Sequence, residues 1–404
     1  MTRTIFTGGI VYDGTTGRPA PGDVVVEDGR IVDVGTGLDG DVAVDCSGGY
    51  LSPGFMDCHV HVTLDNPSQM RIIETPFSLQ FFSAAANLRK TLDAGVTTIR
   101  DAGGADLGVK EAVDRGMIPG PRMQISIIML SQTGGHGDDW SICGGDVPFF
   151  LPHPGRPSGL VDGPDEVRRR VREIIRAGAD VIKVATTGGV LSPNDDPRHP
   201  HFRDAEIAVM TEEATAAGIH VMAHAQGAGG IKAALRNGVR SIEHGIYLDD
   251  EAIEMMLQAG AWLVPTLHAP RAVIAAAESG LPIPASAVDK ARSVADAHAD
   301  SVRRAHEAGV RIAMGTDCGV GAHGSNLEEL ELMEQAGMSP LDTLHATTGS
   351  AAELLDVATD RGTIRPGQRA DLVVVDGDPD DITGLGKRVR GVYLDGVEVD
   401  RPSS

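Results

Sequence analysis

Aromatic residues are scarce in this sequence: Phe, Trp and Tyr make up 3% of its 404 residues. Any hydrophobic core must therefore be assembled from Val, Ile, Leu, Ala and Met. Positive charge is short as well. There are 35 Lys and Arg against 57 Asp and Glu, a formal net charge of −22, which argues against nucleic acid and anionic membrane surfaces as partners. No apolar run approaches the length of a bilayer span, and the opening stretch MTRTIFTGGIVYDG has no charged segment followed by a long apolar one, so no secretory leader is expected. Cysteine is sparse too. Cys46, Cys58, Cys143 and Cys318 make no C-x-x-C pair, which predicts a reduced, cytoplasmic protein rather than a disulfide framework.

What is present is a repeat. The phrase "helix, small residue, Gly, apolar strand" recurs as LDAGVTTIRD, IRAGADVIKVA, TAAGIHVMAHA, LRNGVRSIEHG, LQAGAWLVPTL and HEAGVRIAMGTD. Gly95, Gly178, Gly218, Gly238, Gly260 and Gly309 sit where a helix C-cap favours a left-handed residue. In DEVRRRVREIIRA, Val167, Val171, Ile174 and Ile175 form an apolar stripe opposite an Arg face. Strands alternating with helices predict βα units around a parallel sheet. Six junctions plus strands at 51–61 and near 122–131 give eight, hence a (β/α)8 barrel over 54–360. An open doubly wound sheet would call for a Gly-rich fingerprint after the first strand, and that strand ends instead in DCHVH. Residues 1–53 and 361–404 read as short strands broken at Gly and Asp, which predicts one small sheet domain made from both ends.

In a barrel, chemistry gathers at the C-terminal ends of the strands. Those positions hold His59 and His61 on strand 1, Lys183 on strand 4, His224 on strand 5, His244 on strand 6 and Asp317 on strand 8. His59 and His61 are two residues apart, so on a strand both imidazoles face the same way, and imidazole is a common neutral metal ligand. A lysine in the apolar strand VIKVA is costly unless paired or neutralised. One reading is an ion pair with an acidic neighbour. The other is a carbamate formed from the neutral amine and CO2, an anion able to bridge two cations. Beside four histidines and an aspartate the second is the stronger reading, and the set fits two borderline metals such as Zn²⁺. A two-metal hydrolytic site activates water and polarises a carbonyl; Asp317 would ligate one ion and carry the proton from water to the leaving amine.

The motifs HVH, Lys183, HAQ, EHG and GTD, framed by YLSPGFMDCHVH and GTIRPGQRADLVVVDGDP, resemble the amidohydrolase superfamily along nearly the whole chain. The resemblance implies a barrel over 54–360 and a composite β-sandwich from 1–53 and 361–404. It also implies a binuclear zinc centre: His59, His61 and Asp317 on one metal, His224 and His244 on the other, and carboxylated Lys183 bridging. IKVATTGG, QTGGHGD and HGSNLEELELM are most similar to prolidase-like dipeptidases and their amidase relatives. His136 matches a histidine that contacts substrate near the scissile carbonyl in those relatives. Gln226 departs from the pattern, because such prolidases carry Tyr there. The expected function is hydrolysis of a dipeptide or an N-acyl amino acid by a homo-oligomer; carbamates, ureas or aryl amides are the alternative that Gln226 favours. A non-catalytic metal-stabilised binder is the remaining class, and the intact ligand set argues against it.

Other candidates carry two readings each. The Gly-rich stretch 132–164 is too long for an ordinary connector: as a lid it brings His136 and Trp140 to the pocket, otherwise it is a mobile surface loop. His268 is a substrate-binding residue or a satisfied wall histidine, and His323 is expected to gate or bind substrate. Asp101 orients a ligand histidine or pairs with Arg100, and Glu243 points away from its neighbour His244 into a supporting role. The helix near 286–308 reads as a polar outer helix.

Overall fold

Alternating apolar residues near both ends of the chain become strands of one sheet. In a computed structural model, which describes residues 2–141, 143–192 and 195–401, the first strands are β1 (Thr4–Val11), β2 (Ala20–Glu27), β3 (Arg30–Gly35), β4 (Val42–Asp45) and β5 (Gly49–Pro53). β2 and β3 turn at Asp28–Gly29, whose φ angles of 50° and 74° are those a tight hairpin requires and Asp-Gly tolerates. β1 pairs antiparallel with β2 and parallel with β4 and β5.

The strand expected over 51–61 is in fact two. β5 stays in the mixed sheet, and after Gly54, where a Cβ would collide with Thr97, the chain enters β6 (Phe55–Val60). β6 runs parallel to β7 (Val96–Asp101), and β7 to β8 (Arg122–Ile125). A second parallel sheet holds β9 (Met129–Leu130), β10 (Val181–Ala185), β11 (His220–Gly227), β12 (Ser241–Tyr247), β13 (Trp262–Val264) and β14 (Arg311–Ile312), paired in that order. The single strand expected near 122–131 is interrupted, because Ile127 adopts φ 68° and its carbonyl accepts from the Gly104 amide at 3.0 Å. β14 is short, yet the chain beyond it stays bonded to β6. Cys58 donates to the Met314 carbonyl (2.8 Å), Asp317 to that of His59 (2.7 Å) and His61 to that of Cys318 (2.7 Å).

β15 (Leu372–Asp376), β16 (Val389–Leu394) and β17 (Val397–Glu398) complete the mixed sheet, β15 lying antiparallel on β5. Its core includes Phe6 packed edge-on against Tyr393 with ring centroids 4.8 Å apart. The protein is thus an α/β fold with parallel sheets. The six repeat glycines all carry positive φ, from 57° to 97°. The helix Pro164–Arg176 buries Val167, Val171 and Ile174 as its pattern predicts. The helix Ala285–Ala308 is less polar in its role than its sequence suggests: it buries Val294, His298, Ser301 and Val302. Among the described residues no helix is long and apolar enough to cross a membrane, and none of the four cysteines is in a disulfide.

Candidate active site

The end of β6 is locked before it presents any ligand. Asp57 is fully buried and accepts from Thr316 Oγ1 (2.7 Å), Asn326 Nδ2 (2.8 Å) and the His59 and Thr316 amides (3.1 and 3.2 Å). Burial still pushes its carboxyl up to about 6. The strand therefore holds His59 and the 316–317 backbone in one frame. His244, within β12, and Asp317, in the segment that follows β14, have φ 73° and 60°, a left-handed backbone that non-glycine residues keep only where the surroundings enforce it.

Each of the four histidines has one ring nitrogen taken by an outer partner. His59 Nδ1 meets Glu243 at 2.8 Å, His61 Nδ1 the Gly103 carbonyl at 2.7 Å, His244 Nδ1 Thr266 Oγ1 at 2.6 Å, and His224 Nε2 the Gly188 carbonyl at 3.1 Å. Such partners fix the tautomer and leave the other nitrogen as a lone-pair donor. Burial keeps His59, His224 and His244 well below the usual imidazole range, with nearby Lys183 or other imidazoles adding to the effect. His61 is the exception. Burial lowers it, but Asp317 outweighs that and raises it.

His61 Nε2 lies 3.2 Å and His59 Nε2 3.6 Å from Asp317 Oδ1, which is buried and has no hydrogen-bond donor. With the His61 proton on Nδ1, two lone pairs face each other across 3.2 Å, an arrangement that needs a cation between them. His59, His244 and Asp317 offer ligand atoms that all lie within 4.8 Å of one another. Lys183 Nζ is 3.4 Å from His59 Nε2, and burial lowers its ammonium to about 8. The donor set fits a divalent metal. Burial opposes ionisation of Asp317, but His59 and His61 prevail and hold its carboxyl well below the usual range.

Glu243 supports this centre from behind. It binds His59 through one oxygen, and Arg100 Nη2 (3.0 Å) and Ser241 Oγ (2.5 Å) through the other, all of them buried. Truncating it leaves the Arg100 cation buried and unpaired. Glu243→Ala is expected to cost about 3–5 kcal/mol, read from urea unfolding; a loss below about 1 kcal/mol would mean water replaces the carboxylate. Asp101 does not pair with Arg100 and hydrogen-bonds no ligand histidine directly. It accepts from the Val62, Gly103 and Ala105 amides (2.8, 3.0 and 3.1 Å), shaping the turn whose Gly103 carbonyl holds His61.

His59, His61, Lys183, His224, His244, Asp317, His136 and Gln226 all line one cavity of about 360 Å³. Described residues of the 132–164 stretch, Phe149 and Phe150 among them, cover it as a lid. His136 stacks on His224 with ring centroids 4.2 Å apart. The Gln226 amide makes no side-chain hydrogen bond to a described residue, and its Oε1 is buried without a partner. Three expectations fail. His268 starts the helix His268–Glu278 outside the cavity wall, its Nε2 3.6 Å from Glu328. His323 turns back beneath β6, where Nε2 lies 3.2 Å from the His61 and Leu64 carbonyls, so it fastens the ligand strand rather than meeting substrate. Trp140 is 51% exposed and lies outside the cavity wall.

Other residues escaped the strand-end logic. His298, on a helix, lines the cavity and donates from Nε2 to the Pro265 (2.7 Å) and His244 (3.0 Å) carbonyls. Ser192 meets His136 Nδ1 at 2.8 Å, beside Asp195, which Lys290 pins from the helix Ala285–Ala308. No motif marks these positions.

The profile of the amidohydrolase family matches residues 50–399. Ochratoxinase from Aspergillus niger is 36% identical over 343 residues, 81% of this chain and 70% of its own. A crystal structure of a Xaa-Pro dipeptidase with methionine in its active site superposes with a TM-score of 0.91. It is 32% identical, over 99% of this chain and 100% of that one. A prolidase complexed with N-methylphosphonate-L-proline gives 0.91 and 35%, over 99% and 100%.

Proposed function

The chain belongs to the amidohydrolase family and is a hydrolase of carbon–nitrogen bonds, and on that premise we propose that it cleaves the amide bond of a dipeptide or an N-acyl amino acid. The observation that carries this reading is the set of four imidazoles, each with one nitrogen tied down and the other left free, around Asp317 and Lys183. Two divalent cations, zinc by preference, would be held by His59, His61 and Asp317 on one side and by His224 and His244 on the other, with Lys183 bridging as a carbamate. When bound, they supply Lewis acidity towards the scissile carbonyl and lower the pKa of water.

The remaining work falls to side chains. Asp317 takes the proton of the attacking water and delivers it to the leaving amine. His136 Nδ1 meets Ser192 Oγ, which also bonds Asp195, so the His136 ring is held in place on His224. From that position His136 assists the developing oxyanion. The lid excludes water from the reacting atoms. The same reading closes the two parallel sheets into one (β/α)8 barrel at 54–360, supported by the β6 to 314–318 hydrogen bonds, with 1–53 and 361–404 as a composite β-sandwich domain. It takes the enzyme to be a cytoplasmic homo-oligomer, in keeping with the exposed Phe77, Leu79 and Phe82.

The second reading, a hydrolase of carbamates, ureas or aryl amides, is favoured by one observation: the unpartnered amide of Gln226. A screen of the enzyme reconstituted with zinc and bicarbonate separates the two, using dipeptides, N-acyl amino acids, aryl carbamates and ureas. Turnover of peptides or N-acyl amino acids is expected. Silence on those, with turnover of carbamates or ureas, would overturn the first reading in favour of the second.

A further inference from the structure

Arg156 is buried in the lid, 6% exposed, and lines the cavity beside Phe150. No carboxylate among the described residues lies in salt-bridge range of it. Its Nη1 donates to the Leu151 carbonyl at 2.7 Å and its Nη2 to the Gly104 carbonyl, while Nε is buried without a partner. A guanidinium carries five N–H donors in a rigid fork. Two are used on neutral carbonyls and three are left, while Asp101 and Asp106 act on the charge only from beyond contact range.

Burying a cation without a counter-ion is costly, and a chain with 57 acidic residues has no shortage of them. The nearby acids are committed elsewhere. Asp101 is held by three backbone amides, and Asp106 caps the helix Leu107–Asp114 through the Val109 amide. Lys183, the other Lys or Arg of the cavity wall, faces His59. The Arg156 guanidinium carbon lies 5.6 Å from the Phe150 ring centroid, and that ring lies 5.5 Å from His61. Arg156 and His61 therefore pack against the same aromatic ring. Nε–H beside an Nη–H is the pair that grips a carboxylate in two places.

We propose that Arg156 is the carboxylate-binding residue of the substrate site: it binds the free α-carboxylate of the amino acid released as the leaving group. The proposal rests on the reading of the substrate as a dipeptide or N-acyl amino acid and assigns the residue that recognises its carboxylate. Asp138 and Asp146, which line the same cavity, would repel such a group elsewhere and so favour its placement at Arg156. A simpler role is available: Arg156 only tethers the lid to Gly104. The two differ in what the substrate feels.

The test compares N-acyl amino acids with their C-terminal primary amides, using the zinc-reconstituted enzyme and the Arg156→Gln and Arg156→Lys variants. The wild type is expected to prefer the acid. In Arg156→Gln the ratio of kcat/KM for acid over amide should fall about 100-fold, mostly through KM, as when one partner of a buried charge pair is removed. Arg156→Lys should recover part of the ratio. A ratio unchanged in Arg156→Gln, whatever the absolute rates do, assigns the residue to lid tethering and overturns the proposal. So does a wild type that treats acid and amide alike while still hydrolysing both. If no amide bond is cleaved at all, the underlying reading fails instead. Calorimetric binding of an N-acyl amino acid to folded wild type and Arg156→Gln then decides: loss in the variant supports the carboxylate site, and equal affinity overturns it.

Discussion

Asp317→Asn should lower kcat by about 10³-fold or more while leaving the fold intact. Asn matches Asp in shape, and the backbone around residue 317 is held by bonds that do not involve its side chain: the Asp317 amide to the His59 carbonyl at 2.7 Å, and Asp57 to Thr316. What is lost is an anion that His59 and His61 keep ionised despite burial. An amide oxygen can neither accept the proton of water nor return it to an amine, and general-base catalysis alone is worth about 10²–10⁴-fold. The measurement is kcat on the best substrate of the screen, with near-ultraviolet circular dichroism and zinc content on the same samples. Retention of activity within about tenfold, with metal still bound, would remove Asp317 from proton transfer.

Lys183→Met should reduce bound metal from two ions per chain and lower activity by about 10³-fold, the scale of several kcal/mol of transition-state stabilisation. Met nearly fills the space but offers neither charge nor carbamate. The wild-type lysine gives a further signature. Burial lowers its ammonium to about 8, and only the neutral amine adds CO2. Because the neutral fraction rises as pH increases through that value, reconstitution of metal-stripped enzyme at fixed dissolved CO2 should be roughly tenfold faster at pH 9 than at pH 7. Equal rates at the two pH values, or two zinc ions retained in Lys183→Met, would point to an amine that stays an ion-pair partner.

The parallel strands were legible because their punctuation is chemical. A glycine that must adopt positive φ recurs before each β-segment of the repeat, and in four of the six a ligand-type side chain follows it. Lys183 was legible for the opposite reason, as a charge in a strand where water is absent. The failures share a cause. His268 and His323 were assigned by nearness to a strand end, yet a chain leaving a strand can turn outward into a helix or back beneath its neighbour, and that depends on tertiary packing. Asp101 organises a turn through backbone amides, and the Arg100 pairing considered for it falls to Glu243, which keeps its expected supporting role. His298 reaches the cavity from a helix whose alternating charges read as solvent-facing. The strand boundaries at Gly54 and Ile127 were hidden because steric limits at single residues, not hydrophobic pattern, set them.

The mixed sheet has a consequence for how the protein is made. β5 ends at Pro53 and its antiparallel partner β15 begins at Leu372, roughly 300 residues later. On a ribosome adding about 5–20 residues per second, β5 and its neighbours wait tens of seconds for the strand that covers them. During that time Tyr50 and Leu51, fully buried in the finished molecule, lie along an open, apolar strand edge, the kind of surface that recruits other chains. Folding is then a race between elongation and mispairing. Slower translation, or higher expression at elevated temperature, should shift newly made chains towards aggregates even though the completed enzyme presents no such edge at β5.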